Sequence, residues 1–381
     1  MVNITRRRFA SSASVALGGF AGLGLSACST EPDPQAYESA VAQTWRLTSE
    51  PGQDGAAPGP RPAQALSREL VRLATLAPSS HNTQCWKFAL EEQAVVILPD
   101  LARRCPAVDP DEHHVFVSLG CACENLVQAG QAHGFSATAR FDAAHNTIRV
   151  ALEPLRTPTS PSPLFRAIAA RQCTRGDYDG QPLTREELRL LEQAGTSSGV
   201  RLLLLTERPA LERVLDWVVQ GNTAQMADPA FIKELKTWIR FNGKDAVRTR
   251  DGLFSVASGS PQIPSWLGDM AFGWLLTSEG ENEKYTRQIR SSAGIAVFVG
   301  EAADPSHWVE VGRCYERFAL QATALGIRNA FVNQPVEVAA VRAPFAAAIG
   351  LAGQRPDLVV RFGRGPTLPR SLRRPVQAVL V

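Results

Sequence analysis

The chain of 381 residues is poor in lysine. Lys87, Lys233, Lys236, Lys244 and Lys284 are the only five, so arginine supplies the other 35 of the 40 basic residues. Arginine suits bidentate recognition of phosphate or carboxylate, but in so Arg-rich a chain only clusters carry that meaning. A net charge of +3 is too small to make a nucleic-acid surface, and no such partner is expected. The seven cysteines (Cys28, Cys85, Cys105, Cys121, Cys123, Cys173 and Cys314) contain no CxxC pair and no zinc spacing. Cys121 and Cys123, two apart on a helix, point to different faces. Most of the set reads as small buried apolar residues. A Walker P-loop, a GxGxxG turn, a GxSxG elbow and an HExxH helix are all absent, which removes the common nucleotide, serine-hydrolase and zinc-protease signatures. His113 and His114 are adjacent and cannot share a helix face. They read as helix-surface residues, and no metal site is expected. After the first 28 residues no run is long and apolar enough to span a membrane.

The N-terminus has its own character. "TRRRF" (Thr5–Phe9) precedes an uncharged stretch rich in Ala, Gly and Ser that ends in "LSAC" (Leu25–Cys28). Consecutive arginines before such a stretch resemble a twin-arginine export signal. The ending resembles a lipoprotein signal-peptidase box, with Cys28 as the lipidated residue. Residues 1–28 are thus expected to direct export, to the periplasm or to a lipid-anchored place at the cell envelope. Residues 29–62 hold Pro32, Pro34, Pro51, Pro58, Pro60 and Pro62 and read as a Pro-rich tether with a short helix near Tyr37–Leu47.

The rest of the chain repeats itself weakly. "LSRELVRLATLAPSS" from Leu66 and "LTREELRLLEQAGTSS" from Leu183 each place a hydroxyl N-cap candidate, Ser67 and Thr184, before a helix-spaced apolar pattern. Thr184 with Glu187 makes a capping box. Two long helices rich in small residues follow. One opens at Asp109, as N-cap, with Pro110 and closes at Gly134; the other opens at Asp304 with Pro305 and closes at Gly326. Strands are expected at 86–90, 94–98, 136–141, 147–152, 200–205, 293–299, 328–332 and 358–362. Helices and strands alternate, so the class is α+β or α/β. The boundaries read as two related halves, 63–156 and 163–381, separated by Pro154, Pro158, Pro161 and Pro163. The second half carries an insertion at about 208–292 with Trp217, Trp238, Trp266 and Trp274. Such an insertion is either a lid or a helical cover for the core. Two similar halves can pack as the subunits of a homodimer do, with a ligand where they meet.

Three stretches stand out chemically. "LAPSSHNTQCWKF" (Leu76–Phe88) puts short polar side chains between a helix and a strand. "RQCTRGDYDG" (Arg171–Gly180) and "RFGRGPTLPRSLRRP" (Arg361–Pro375) bring arginines to two loops of the second half. From Arg361 to the C-terminus there are five arginines and no acid. Two Arg-bearing loops make a phosphate grip through charge-assisted bonds.

Together these stretches resemble the FMN-dependent nitroreductase superfamily. The first resembles its APSSxNxQPW loop, with Cys85 in place of Pro. "RQCTR" resembles its RxSxR element, with Cys173 in place of Ser. The C-terminal stretch resembles its phosphate-binding segment. With "RRCPAVDPDEHHVFVSLGCACENL" and the N-terminal arginines, the chain is most similar to the Acg-type branch, in which two nitroreductase-like halves share one chain. The resemblance covers nearly everything from Leu66 onward. It implies an α+β nitroreductase-like fold of two pseudo-symmetric halves. It also implies one FMN per chain, since the mirror position lacks both the arginine element and the polar loop. Arg171, Cys173 and Arg175, with Arg370, Arg373 or Arg374, would hold the phosphate. Pro78, Ser79, Ser80, Asn82 and Gln84 would approach the flavin from the first half, and Asn333 and Gln334 of "FVNQPVE" would meet its reactive edge. The implied activity is two-electron reduction of a nitroaromatic or quinone-like planar acceptor. The donor is NAD(P)H or another reductant, and no protein side chain is obligatory as acid or base. The alternative is an exported flavin-binding protein whose lid prevents turnover. The internal pair of halves implies a monomer.

Overall fold

The computed structural model describes residues 34–47, 64–157 and 160–381. The signal-like segment with Cys28 and most of the tether lie outside them. In chain order, α1 (Pro34–Thr44) is followed by α2 (Gln64–Ala74), β1 (Trp86–Glu91), β2 (Ala94–Pro99), α3 (His113–Ala132), β3 (Phe135–Asp142) and β4 (Thr147–Pro154). After α4 (Pro163–Ala167) come α5 (Arg185–Gly195) and β5 (Val200–Leu205). The insertion holds α6 (Arg208–Met226), α7 (Pro229–Trp238), β6 (Ile239–Arg240), α8 (Gly243–Thr249), β7 (Leu253–Phe254), α9 (Ser265–Leu275) and α10 (Ser278–Arg290). The chain then returns through β8 (Gly294–Gly300), α11 (Pro305–Ala324), β9 (Arg328–Phe331), α12 (Gln334–Glu337), α13 (Ala339–Ala348) and β10 (Leu358–Gly363). The class is α+β, with eight main strands where the sequence predicts them.

The two main sheets have the same topology. One is ordered β1-β2-β4-β3 and the other β5-β8-β10-β9, all antiparallel. Matching α2 with α5 and α3 with α11 makes the two orders identical. The matched helices α3 and α11 pack on each other in the middle of one shared apolar core. Their crossing is reciprocal. A Cβ added at Gly120 would lie 2.0 Å from the Val309 carbonyl oxygen, and one at Gly312 would lie 2.0 Å from that of Val117. Only glycine on each helix permits backbone to approach backbone so closely.

The helix starts show which local signals survive. Thr184 forms the predicted capping box: its hydroxyl accepts from Glu187 N at 3.2 Å, and the Glu187 carboxylate accepts from Thr184 N at 2.8 Å. Asp304 caps α11 as predicted. Asp109 does not occupy the N-cap of α3. The helix starts later, at His113, after Glu112 in a left-handed conformation (φ 62°). Asp109 nevertheless accepts from His114 N and Val115 N at 3.0 and 3.1 Å, so it satisfies the same orphan donors from further upstream. Ser67 is not a cap either, because α2 begins at Gln64 and buries Ser67 within it.

Residues 34–47 depart from the tether reading. Tyr37 donates to the Arg370 carbonyl at 2.7 Å, and Trp45 Nε1 donates to that of Ser371 at 3.1 Å. Trp45 also stacks under two arginines, with its ring centre 4.5 Å from Arg370 and 4.9 Å from Arg373. This segment is docked on the C-terminal arginine stretch. No helix among the described residues is long and apolar enough to cross a membrane.

Candidate functional site

The "LAPSSHNTQCWKF" loop carries three non-glycine residues in left-handed conformation: His81 (φ 47°), Asn82 (φ 53°) and Gln84 (φ 54°). Such residues each cost about 1–3 kcal/mol and persist only where the surroundings over-determine them. The surroundings do so here. Asn82 Nδ2 donates to the carbonyls of Gly252 (2.9 Å) and Leu372 (3.2 Å). Gln84 Nε2 donates to Arg250 O at 2.9 Å, while its Oε1 accepts from Arg374 N at 2.8 Å. Ser79 Oγ closes the loop by accepting from Gln84 N at 2.9 Å. The buried amides thus tie the loop to the insertion and to the C-terminal stretch.

Two adjoining cavities border this loop. The larger, about 250 Å³, is lined by Pro78, Ser79 and Ser80, by one side of α3, and by Asn333, Gln334 and Glu337. The smaller, about 60 Å³, is lined by Arg171, Cys173, Arg175, Arg370 and Arg373 with Trp45. Pro78, Ser79, Arg175, Leu253 and Phe331 line both. Eleven of the thirteen predicted site residues therefore line one cavity or the other, Asn82 among them on the smaller. Gln84 and Arg374 line neither. Gln84 is fully buried as a clamp, and Arg374 turns toward the Gln84 and Ala378 carbonyls.

The arginines differ in how free they are. Arg171 is buried with its Nε 3.2 Å from Glu316 Oε1, and its Nη2 donates to Leu76 O at 2.9 Å. Arg373 donates to the carbonyls of Thr75, Leu76 and Ala77, beyond the end of α2. Arg370 donates to Ala169 O and Ala170 O. Arg175 is half-buried, and its guanidinium has no hydrogen bond or ion pair among the described residues. Burial, and next the neighbouring Arg171, push Arg373 down to about 9 and Arg370 down to about 10. Glu316 is spent on Arg171, so this is a cluster of cations short of countercharge. A bound anion relieves that cost.

Cys173 sits among them, its Sγ 3.7 Å from Arg171 Nη1. A thiol is a weaker donor than a serine hydroxyl. Asn333 Oδ1 accepts from Val359 N at 2.9 Å, which leaves its Nδ2 for a ligand. Gln334 Oε1 is buried without a hydrogen-bond partner.

Sequence reasoning missed several lining residues. Trp45 lay in an apparent tether. His114 and Glu337 come from elements whose facing is set only by packing. Both His113 and His114 are buried, which corrects the helix-surface reading. His113 Nε2 lies 3.0 Å from Asp357 Oδ1, though not aligned as a hydrogen bond. The His113 and His114 ring centres lie 4.5 Å apart, with the ring planes tilted by 44°. His81, Cys105 and Glu234 gather their ligand-type atoms within 4.8 Å. Both Glu234 oxygens accept backbone N–H groups, from Ala107 and Val108, which makes this group a loop anchor.

The insertion divides in two. Leu211, Val214, Leu215 and Val218 of α6 cover the second sheet. From Asn222 to Tyr285, insertion side chains line the larger cavity. None of Trp217, Trp238, Trp266 and Trp274 does, and Trp266 and Trp274 face solvent.

Burial pushes Asp109 up to about 6 and Glu337 up to about 7, from ordinary values of 3.8 and 4.5. The folded chain thus holds these protons more tightly than the unfolded one. Their stabilisation is complete below about pH 4 and is lost as pH rises through 6 to 7. The urea midpoint is therefore expected to fall between pH 5 and 7.5, and to fall less steeply in Glu337→Gln.

A third cavity, of about 290 Å³, occupies the mirror position. Matching Gly120 with Gly312 pairs Val117, Ser118 and Cys121, which line the larger cavity, with Val309, Glu310 and Arg313, which line the third. There Arg313 and Glu310 pair with each other at 3.0 Å, and Arg140 of β3 is the other arginine in the lining among the described residues.

No family model matches the chain. It is 26% identical over 328 residues to a protein of Mycobacterium tuberculosis (strain H37Rv) provisionally named NAD(P)H nitroreductase Rv3131, covering 82% of this chain and 90% of that one. It is 23% identical over 330 residues to the protein of the same organism provisionally named NAD(P)H nitroreductase acg, covering 82% and 94%. Among solved structures it is similar to a nitroreductase with bound FMN from Desulfitobacterium hafniense (TM-score 0.34, 13% identity, 56% of this chain and 93% of that one). It is also similar to the FMN-dependent nitroreductase NfnB of Mycobacterium smegmatis in complex with NADPH (TM-score 0.34, 13% identity, 53% and 87%).

Proposed function

We propose that the chain belongs to the nitroreductase superfamily and is an FMN-binding oxidoreductase that reduces nitroaromatic or quinone-like acceptors by two electrons, drawn from NAD(P)H or another donor. The observation that carries this reading is the arginine cluster short of countercharge that opens onto a larger mixed cavity. Relatives named as nitroreductases, matched over most of their length, support it. Arg175, Arg370 and Arg373 with Ser79 would hold the FMN phosphate; Arg171 would brace them from behind. Pro78, Ser80, Phe331, Asn333 and Gln334 would border the ring. Bound FMN supplies the redox chemistry, and these side chains bind it and orient it. We place one FMN in each chain, because the arginines that line the mirror cavity among the described residues are Arg140 and Arg313, and Arg313 is paired with Glu310. The internal pair of sheets supports a monomer, and the N-terminal motif supports export, with a lipid on Cys28 as the membrane link.

Arg175→Ala is expected to weaken FMN binding by about 1.5–3 kcal/mol, ten- to hundredfold, through loss of a charge-assisted bond. Its melting temperature without FMN should stay that of the parent, since the guanidinium has no hydrogen-bond or ion-pair partner among the described residues to lose. Flavin fluorescence on titration of the apoprotein measures the first, and thermal unfolding the second.

The reading is tested by anaerobic reduction of the yellow holoprotein lacking residues 1–28. Bleaching by NAD(P)H and recolouring by a quinone establishes a reductase. Bleaching by dithionite alone favours a flavin-sequestering protein covered by the insertion, the second reading that insertion residues in the cavity wall support. A protein that takes up no FMN rejects both.

A further inference from the structure

Glu337 is the last residue of α12 and part of the larger cavity's wall. Its side chain is 18% exposed and lines that cavity. Oε2 accepts from Gln225 Nε2 at 2.7 Å. Oε1 lies 3.9 Å from His114 Nε2, too far for a hydrogen bond. An ionised carboxylate in such a wall would gather cations, and this one has gathered few. The neighbours that face it are Gln225 from α6, Glu234 from α7, Cys105 and Asp109 from the loop before α3, His114 from α3, Tyr285 from α10 and Arg342 from α13. Two of these are acids. Burial, and next His113, hold His114 neutral, its basicity well below the usual histidine range. Arg342 is the one cation of the set, and its Nε is spent on the Val336 carbonyl at 2.7 Å. Burial dominates the balance and lifts the carboxyl to about 7.

We propose that Glu337 stands in the cavity wall as a neutral carboxylic acid and delivers a proton to the oxygen of a bound quinone or nitro acceptor. The inference rests on the reductase reading above and adds to it a protein acid. Reduction of a quinone to a hydroquinone takes two electrons and two protons. Both electrons and one proton arrive as a hydride equivalent drawn from a reduced nicotinamide. The second proton comes from Glu337: its O–H bond breaks, an O–H bond forms on the acceptor, and solvent later returns the proton to the carboxylate. A group titrating near neutrality is well placed for this, because it is still protonated at working pH and gives its proton up readily.

The test has two arms. In the first, infrared spectra of the FMN-free protein are titrated. Burial also raises Asp109 to about 6 and Glu316 to about 7, so the reading is taken from the difference between the parent and Glu337→Gln, which is nearly isosteric. That difference is expected to show one protonated-carboxyl band that vanishes with a midpoint near pH 7. In the second, holoprotein reduced by one equivalent of dithionite is mixed with p-benzoquinone. The parent rate is expected to fall tenfold per pH unit above the midpoint. Glu337→Gln should be ten- to hundredfold slower below it, with a flat profile and with FMN affinity and quinone KM unchanged. A band midpoint below pH 5, or a variant with the parent rate and profile, overturns the proposal. A band that titrates near neutrality in a protein that reduces nothing overturns the reductase reading and proton delivery with it, and leaves only the neutral acid.

Discussion

Arg171→Ala is expected to lower the free energy of unfolding by about 3–5 kcal/mol, the usual cost of breaking a buried ion pair from one side. The side chains of Arg171 and Glu316 are 2% and 0% exposed. Removing the guanidinium leaves the Glu316 carboxylate buried without its cation and the Leu76 carbonyl without its donor. It also removes the cation that, after burial, does most to lower Arg373 and Arg370, which should become easier to keep charged. Replacing both partners, as in Arg171→Met with Glu316→Leu, is expected to cost less than Arg171→Ala alone, because no charge is then stranded. Urea unfolding of the two single variants and the double variant measures that non-additivity. The resemblance alone would make Arg171 a phosphate ligand. The structure gives its Nε and Nη2 protein partners, so its loss should appear first in stability, whereas the loss of Arg175 should appear in FMN affinity.

Gly120→Ala is expected to cost about 3 kcal/mol or more, and Gly120→Leu to abolish folding. The added methyl would stand 2.0 Å from a backbone oxygen of the partner helix, and backbone has no rotamer to turn away. Relief requires α3 and α11 to move apart, which opens the core both sheets share. The reciprocal change Gly312→Ala should behave alike, since it meets Val117 in the same way. Gly273, in α9, has nothing within 4 Å of its added Cβ. Gly273→Ala should therefore gain up to about 1 kcal/mol from helix propensity. Unfolding midpoints of the three alanine variants decide between a packing requirement and a general intolerance of substitution.

The strands were legible because each is a short apolar run between turn residues, and the long helices because small-residue patterns at helical spacing end in glycine. Thr184 and Asp304 were legible as caps because a cap acts within four residues. Ser67 and Asp109 carried the same signature and were displaced, one because α2 starts earlier, the other because α3 starts later. Local sequence offers several starts, and packing chooses among them.

The site divides in the same way. The arginine stretches, the polar loop and "FVNQPVE" could be read as chemistry from residue type alone, and most of them do meet around two adjoining cavities. Which arginine is braced and which is free could not be read, because Arg171 and Arg175 differ only in what faces them across the chain. Gln84 looked like a ligand residue and is a clamp. Trp45 looked like tether and stacks on the cluster. His114 read as a helix-surface residue and Glu337 went unremarked in "FVNQPVE", since a buried acid is defined by neighbours from five other elements. The sequence by itself determined the repeated order of elements and the chemical types available at the loops, because periodicity and turn chemistry act over a few residues. Tertiary structure alone decided which charges are paired and which acid stays neutral, because burial and countercharge are properties of residues brought together from distant parts of the chain.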